Sequence, residues 1–185
     1  MKILAFAASL RKESFNRKLI HQANVLLKTH PEVQVDLADY REFEMPIYDG
    51  DLEDASGVPA GGQELIRRIQ AADALVISTP EYNGGIPGSL KNAIDWASRS
   101  KPNPFANKPL LLLSASPGGF GGLRGLWHTR VPFEALGVFV YSEMFGLAKA
   151  HEAFGAAGEF VDPGNQKRLN GLLDAYLNFA QRLAK

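Results

Sequence analysis

The 185-residue chain contains no cysteine. That removes disulfides, iron–sulfur clusters and thiol-based redox chemistry, so any electrons it moves must be carried by a bound cofactor. Its four histidines, His21, His30, His128 and His151, form no HxxxH or HExxH pair, and no metal site is expected from them. No apolar run approaches the roughly 18 residues that a membrane span needs. The longest, Ala74–Ile77 and Leu110–Leu113, are strand-sized. Formal net charge is zero, which leaves no basic excess for nucleic acid and no acidic excess of the kind a docking electron carrier uses. There is no GxGxxG, which argues against a dinucleotide Rossmann site. No Ser-His-Asp arrangement can be drawn. The acidic cluster Asp49, Asp51, Glu53 and Asp54 reads as a solvated loop. The apolar stretch after Lys2 is too short for a secretion signal and runs straight into Ser9-Leu10-Arg11-Lys12-Glu13. It reads as a first strand, and the protein as cytoplasmic.

What is present is an ordinary globular composition, 45% apolar and 22% charged, of a length suited to one domain over residues 1–185. Short apolar runs alternate with amphipathic helices. Lys2–Ala7 reads as strand 1, and Asn16–Thr29 as a helix with Leu19, Ala23, Leu26 and Leu27 on one face. Val33–Leu37 reads as strand 2, and Asp39–Ala60 as a long irregular stretch. A second helix carries Leu65, Ile66 and Ile69. Strand 3 follows at Ala74–Ser78, a helix at Leu90–Ser98 with Trp96 in the core, and strand 4 at Pro109–Ser114. Leu123–Leu136 reads as a helix that Pro132 kinks or splits, and Val138–Phe145 as strand 5. The last helix spans Gln166–Ala184, with Leu169, Leu172, Leu173, Tyr176, Ala180 and Leu183 inward. Strands 3 and 4 are apolar at consecutive positions, as in parallel strands covered on both faces. The expectation is an α/β three-layer, doubly wound, five-stranded parallel sheet of flavodoxin-like order 2-1-3-4-5, with a ligand outside the carboxyl ends of strands 1 and 3.

Three loops converge on that edge. Ser9-Leu10-Arg11-Lys12-Glu13-Ser14-Phe15-Asn16 gathers hydroxyls, a guanidinium and an amide before a helix N-terminus, a natural phosphate site, although Ser14 or Asn16 could equally be an N-cap. Thr79-Pro80-Glu81-Tyr82-Asn83-Gly84-Gly85-Ile86-Pro87-Gly88 mixes stiff prolines with glycines that let backbone approach a flat ring. Ser114-Ala115-Ser116-Pro117-Gly118-Gly119-Phe120-Gly121-Gly122 is a third, glycine-rich wall.

Together with Leu90-Lys91-Asn92-x-Ile94-Asp95-Trp96, these loops resemble the NADPH-dependent FMN reductase family, which includes quinone- and chromate-reducing members, over nearly the whole chain. The resemblance implies a flavodoxin-like fold, bound FMN, and two-electron reduction of an acceptor such as a quinone, chromate or free flavin, with NADPH or NADH as hydride donor. Ser9, Arg11, Ser14 and Asn16 would hold the phosphate. Pro80, Glu81, Tyr82 and Asn83 would line the isoalloxazine. Ser116, Gly118 and Gly119 would close the far side. No side chain is needed as acid or base, since the flavin N5 carries the chemistry, tuned by backbone amides after Pro80. The chain departs from the family at Ala8, where glycine is usual, and at Gly85, where serine is common. An azoreductase and a flavodoxin-type carrier without NAD(P)H turnover are the alternatives. The resemblance also implies a homodimer or homotetramer, with contact surfaces at Phe105–Phe120 and on the helix bearing Trp127.

Overall fold

The computed structural model describes residues 1–183. Five positions of one parallel sheet are filled in the order β2-β1-β3-β4-β5: β1 Lys2–Ala7, β2 Gln34–Ala38, β3 Ala74–Ser78, β4 Pro109–Ala115 and β5 Phe139–Val140, with β6 Phe145–Leu147 also pairing β4. The pairing is parallel throughout, with Ala5 beside Val76 and Val76 beside Leu111 at the centre. Each residue of β3 and β4 is buried. Alternate side chains feed two cores. Ile3, Ala5, Leu111 and Leu113 face helices α1 (Phe15–Leu27) and α7 (Pro163–Leu183). Leu4, Phe6, Leu110 and Leu112 face α3 (Ala60–Ala71), α4 (Gly88–Ala97) and α5 (Leu123–Ala135). This is the flavodoxin-like three-layer arrangement the pattern of strands implies.

Four details differ from the sequence reading. The expected strand Val138–Phe145 is two pieces. Between them Tyr141 turns its ring onto Tyr176 and Phe179, and Arg130 donates to the Tyr141 and Val140 carbonyls at 2.8 and 3.3 Å, replacing ladder partners. Asp39–Ala60 is not irregular throughout. Asp39 and Glu42 form a capping box on a 3-10 turn, Tyr40–Phe43, whose rings pack on Phe6. Helix α2 (Gly50–Ser56) follows, capped by Asp49. It buries no residue, so it leaves no apolar periodicity to read. Pro132 lies inside α5 and does not split it, because Leu126, Thr129 and Phe133 stay buried on either side and hold the helix. Leu183 is 40% exposed rather than inward, and Ala184 lies outside the described residues. A short helix, α6 (Ala150–Ala153), precedes α7. Among the described residues, no helix is long and apolar enough to cross a membrane, and no cluster of metal-ligating side chains forms.

Candidate functional site

Strands β1, β3 and β4 end together at Ala7, Ser78 and Ala115, and three loops leave from there. The first turns tightly into α1. Ala8 N donates to Ser78 O at 2.8 Å, and Ala8 is buried, so the methyl that replaces the usual glycine sits in the core. Ser14 is the N-cap of α1, its Oγ accepting from Arg17 N at 3.4 Å. Asn16 is not a cap. Its Oδ1 accepts from Ser78 Oγ at 2.9 Å and Ala115 N at 3.0 Å, and its Nδ2 donates to Ala115 O at 2.9 Å. It therefore bolts the ends of β3 and β4 to α1, with one amide hydrogen left over. Ser9 is 3% exposed, and among the described residues its hydroxyl has no hydrogen-bond partner. Arg11 is exposed and makes no ion pair there. The first turn of α1 adds unpaired N–H groups and the positive end of its dipole.

The second loop is rigid. Pro80 is buried. Tyr82 and Gly85 exchange backbone bonds of 3.1 and 3.0 Å, around Asn83 and Gly84 at φ 53° and 78°. Positive φ at both central residues is what a tight two-residue hairpin turn requires, and Asn-Gly meets it. Asn83 thus sits at an exposed tip. The Tyr82 N–H is spent on the hairpin. Of the amides from Glu81 to Gly85, those of Glu81, Asn83 and Gly84 have no backbone partner among the described residues. Glu81 turns away from the loop. Its carboxylate accepts from Arg124 at 2.9 and 2.5 Å and from Gly125 N at 3.0 Å. Burial pushes this carboxyl up, but the Gly125 N–H and the Arg124 guanidinium outweigh that and hold it below its ordinary value. A Cβ at Gly125 would stand 2.9 Å from Glu81 Cβ, so only glycine permits this approach. The rest of the motif serves the fold. Asn92 and Trp96 both donate to Pro46 O, at 2.8 and 2.9 Å, and Asn92 Oδ1 accepts from Tyr48 N at 2.7 Å. Trp96 is fully buried, as expected.

The third loop is tied to the edge of the sheet. Ser116 N donates to Leu147 O at 3.0 Å, and Ala150 N to Ser116 O at 3.0 Å. A Cβ at Gly119 would meet nothing within 4 Å, and one at Gly118 only Ser116 Oγ at 3.6 Å. Nothing in the protein itself demands glycine there, and the surface above them is open.

One groove gathers all of the expected site residues except Asn83, Gly118 and Gly119. Ser9, Arg11, Ser14 and Asn16 form one end, and Pro80, Glu81, Tyr82 and Ser116 the other. Its volume of about 100 Å³ is below the roughly 300 Å³ at which whole-ligand pockets begin. It suits the anionic end of a ligand whose flat part lies on the open surface beside Tyr82, which is 49% exposed. Free hydroxyls, one unpaired guanidinium and a helix N-terminus are the donor set of a phosphate monoester, so FMN fits the residues present. Sequence reasoning missed Arg124 and Gly125, which fix the ring loop. The only signal for them was an arginine and a glycine opening a helix. Of the expected contact surfaces, Phe105 and β4 are interior, Phe105 packing edge-on against Phe133. Phe120 and Trp127 remain exposed.

A family model described as NADPH-dependent FMN reductase matches residues 1–152. A quinone reductase of Escherichia coli K12 is 36% identical over 187 residues, covering 99% of this chain and 97% of that protein. An NAD(P)H-dependent FMN reductase of Pseudomonas aeruginosa is 36% identical over 184 residues, with 99% and 97% covered. Among solved structures, the flavoenzyme NAD(P)H:(acceptor) oxidoreductase FerB of Paracoccus denitrificans superposes with a TM-score of 0.84 at 30% identity, over 98% of this chain and 97% of that one.

Proposed function

The chain belongs to the NADPH-dependent FMN reductase family, and from that premise we propose that it holds FMN in the groove above and reduces quinone-type acceptors with NAD(P)H. It is an oxidoreductase of a family defined by FMN and a nicotinamide donor. The observation that carries the finer reading is the meeting of free anion donors, Ser9 and Arg11, with a rigid loop, Pro80–Gly85, on one edge of the sheet.

In this reading Ser9, Arg11, Ser14 and the first N–H groups of α1 hold the phosphate. Asn16 keeps the strand ends in register and offers its remaining amide hydrogen. Pro80 and Tyr82 flank the ring, and the free N–H groups of Glu81 and Asn83 face its polar edge. Glu81 acts through Arg124 and Gly125, holding the loop still. Gly118 and Gly119 leave the far side uncovered, so donor and acceptor can reach one face in turn. When bound, FMN supplies the hydride chemistry, and the protein supplies orientation and electrostatics. The acceptor class is carried over from the relatives named for quinone, and chromate, azo dyes and free flavin are further candidates for the same open face. The proposal includes a homodimer or homotetramer through α5, where Trp127 and Val131 lie one turn apart at 54% and 65% exposure and Phe120, just before the helix, is 73% exposed. It also includes a cytoplasmic setting.

The test is steady-state NAD(P)H oxidation by the purified, FMN-loaded protein with a quinone. Turnover that depends on FMN is expected. A chain that binds FMN without turnover would instead be a flavodoxin-type carrier, and faster turnover with azo dyes than with any quinone would make it an azoreductase. Sedimentation at micromolar concentration should show more than the monomer.

A further inference from the structure

A second cavity, of about 140 Å³, opens on the other flank of the α1 N-terminus, between α1 and the edge strand β2. Ser9 lines both this cavity and the groove, so the two meet at that residue. Arg17 and His21, one turn apart on α1, face Asp39, the residue directly after β2, over a floor that includes Ile20 and Leu37. Arg17 Nη2 lies 3.2 Å from Asp39 Oδ2, and the exposed His21 makes no ion pair among the described residues.

The chemistry of this set is that of a nucleoside phosphate. A carboxylate at the end of the second strand of a βαβ unit is where dinucleotide folds accept ribose hydroxyls, and a guanidinium beside it can hold the second phosphate of a pyrophosphate. Aliphatic side chains under an imidazole suit the faces of a flat base. The volume suits a ring or a sugar, not a whole cofactor, so the occupant is one end of a longer ligand. Ser9 indicates which ligand, because the cavity continues from the phosphate end of the flavin groove, away from Pro80–Gly85.

We propose that groove and cavity together take a flavin dinucleotide, with the adenosine half of FAD seated among Arg17, His21 and Asp39, so that the chain binds FAD as well as FMN. The proposal rests on the flavin phosphate lying at Ser9–Asn16. It is tested on the flavin-stripped chain by quenching of flavin fluorescence, titrating FMN and FAD separately. FAD is expected to bind at least as tightly as FMN, and millimolar adenosine to weaken FAD without moving FMN. His21→Ala, an exposed position, and Leu37→Phe, which fills the floor, should each weaken FAD about tenfold, or roughly 1.4 kcal/mol, with FMN changed less than twofold. FAD binding ten or more times weaker than FMN overturns the proposal, as does a Leu37→Phe effect equal on both flavins. Binding of neither overturns the reading of the groove as well. Nicotinamide dinucleotides carry the same adenosine. In the FMN-loaded enzyme His21→Ala should leave KM for NADH and NADPH unchanged, and a raised KM with normal FAD binding assigns the cavity to the donor and overturns the proposal.

Discussion

The two ends of the groove are built on opposite plans. The loop Thr79–Pro87 spends the groups that set its shape on the protein: the Glu81 carboxylate on Arg124 and Gly125, the Tyr82 and Gly85 backbones on each other. The loop Ser9–Ser14 keeps two side-chain donors free, with Ser9 Oγ unpartnered and Arg11 unpaired among the described residues. A wall for a flat ring has to exist before the ring arrives, so the bonds that shape it are made within the protein. An anion site has to keep donors free of protein partners, left to water until the anion is bound. Asn16 belongs by sequence to the open end but by its bonds to the closed one. Single substitutions should therefore divide cleanly, with some moving stability and others only flavin affinity.

Asn16→Ala is the largest expected effect. It strands Ser78 Oγ, Ala115 N–H and Ala115 C=O in the interior, and unfolding free energy should fall by about 3 kcal/mol, read as a lower urea midpoint at unchanged m-value. Unchanged stability with lost FMN affinity would make Asn16 a ligand contact alone and break the division. Arg11→Ala is the reverse case. Charged hydrogen bonds to a phosphate put its loss at about 2 kcal/mol, or roughly 30-fold in the FMN dissociation constant, with the urea midpoint unmoved. A stability loss in this variant would show that Arg11 has a protein partner in solution.

How much of this was legible in the sequence depends on what left a periodic or local trace. The strands of the sheet centre, Lys2–Ala7 and Ala74–Ser78, were read to the residue, because burial on both faces makes them continuous apolar runs. The interrupted edge at Tyr141 was not, since Arg130 supplies the replacement partners from another element. Helix α2 was missed because it buries nothing. The loops that form the groove were found because unusual residues cluster in them. Their division of labour was invisible, because Asn16 finds partners 62 and 99 residues away and Glu81 finds Arg124 at a separation of 43. Such pairings are set by topology and have no local signature.

Glu81→Gln sharpens the closed end. The neutral amide keeps the shape but loses the charged bonds to Arg124 and Gly125, and a loss of about 1.5 kcal/mol is expected at pH 7. Its pH dependence follows from the direction of the shift. The folded carboxyl sits below its ordinary value, so its contribution is fully present above the unfolded value of about 4.3 and is lost as pH falls through the folded one. The gap between wild type and variant should close in acid, as followed by urea unfolding from pH 7 to pH 3. A constant gap would mean that the introduced amide disturbs packing and that the ion pair contributes nothing.

Ser9→Ala has the smallest effect and tests the open end most directly. A hydroxyl without a protein partner contributes nothing to the folded chain by hydrogen bonding, so its removal should leave the urea midpoint within error. One lost neutral hydrogen bond to phosphate is worth about 1 kcal/mol, or roughly fivefold in FMN affinity. The pairing of those two results is what matters. At Ser14, whose Oγ also caps α1, the same substitution should cost stability as well, by about 1 kcal/mol. If Ser9→Ala instead behaved like Ser14→Ala, the hydroxyl would have a partner in the folded chain, and the open end of the groove would be as closed as the ring loop.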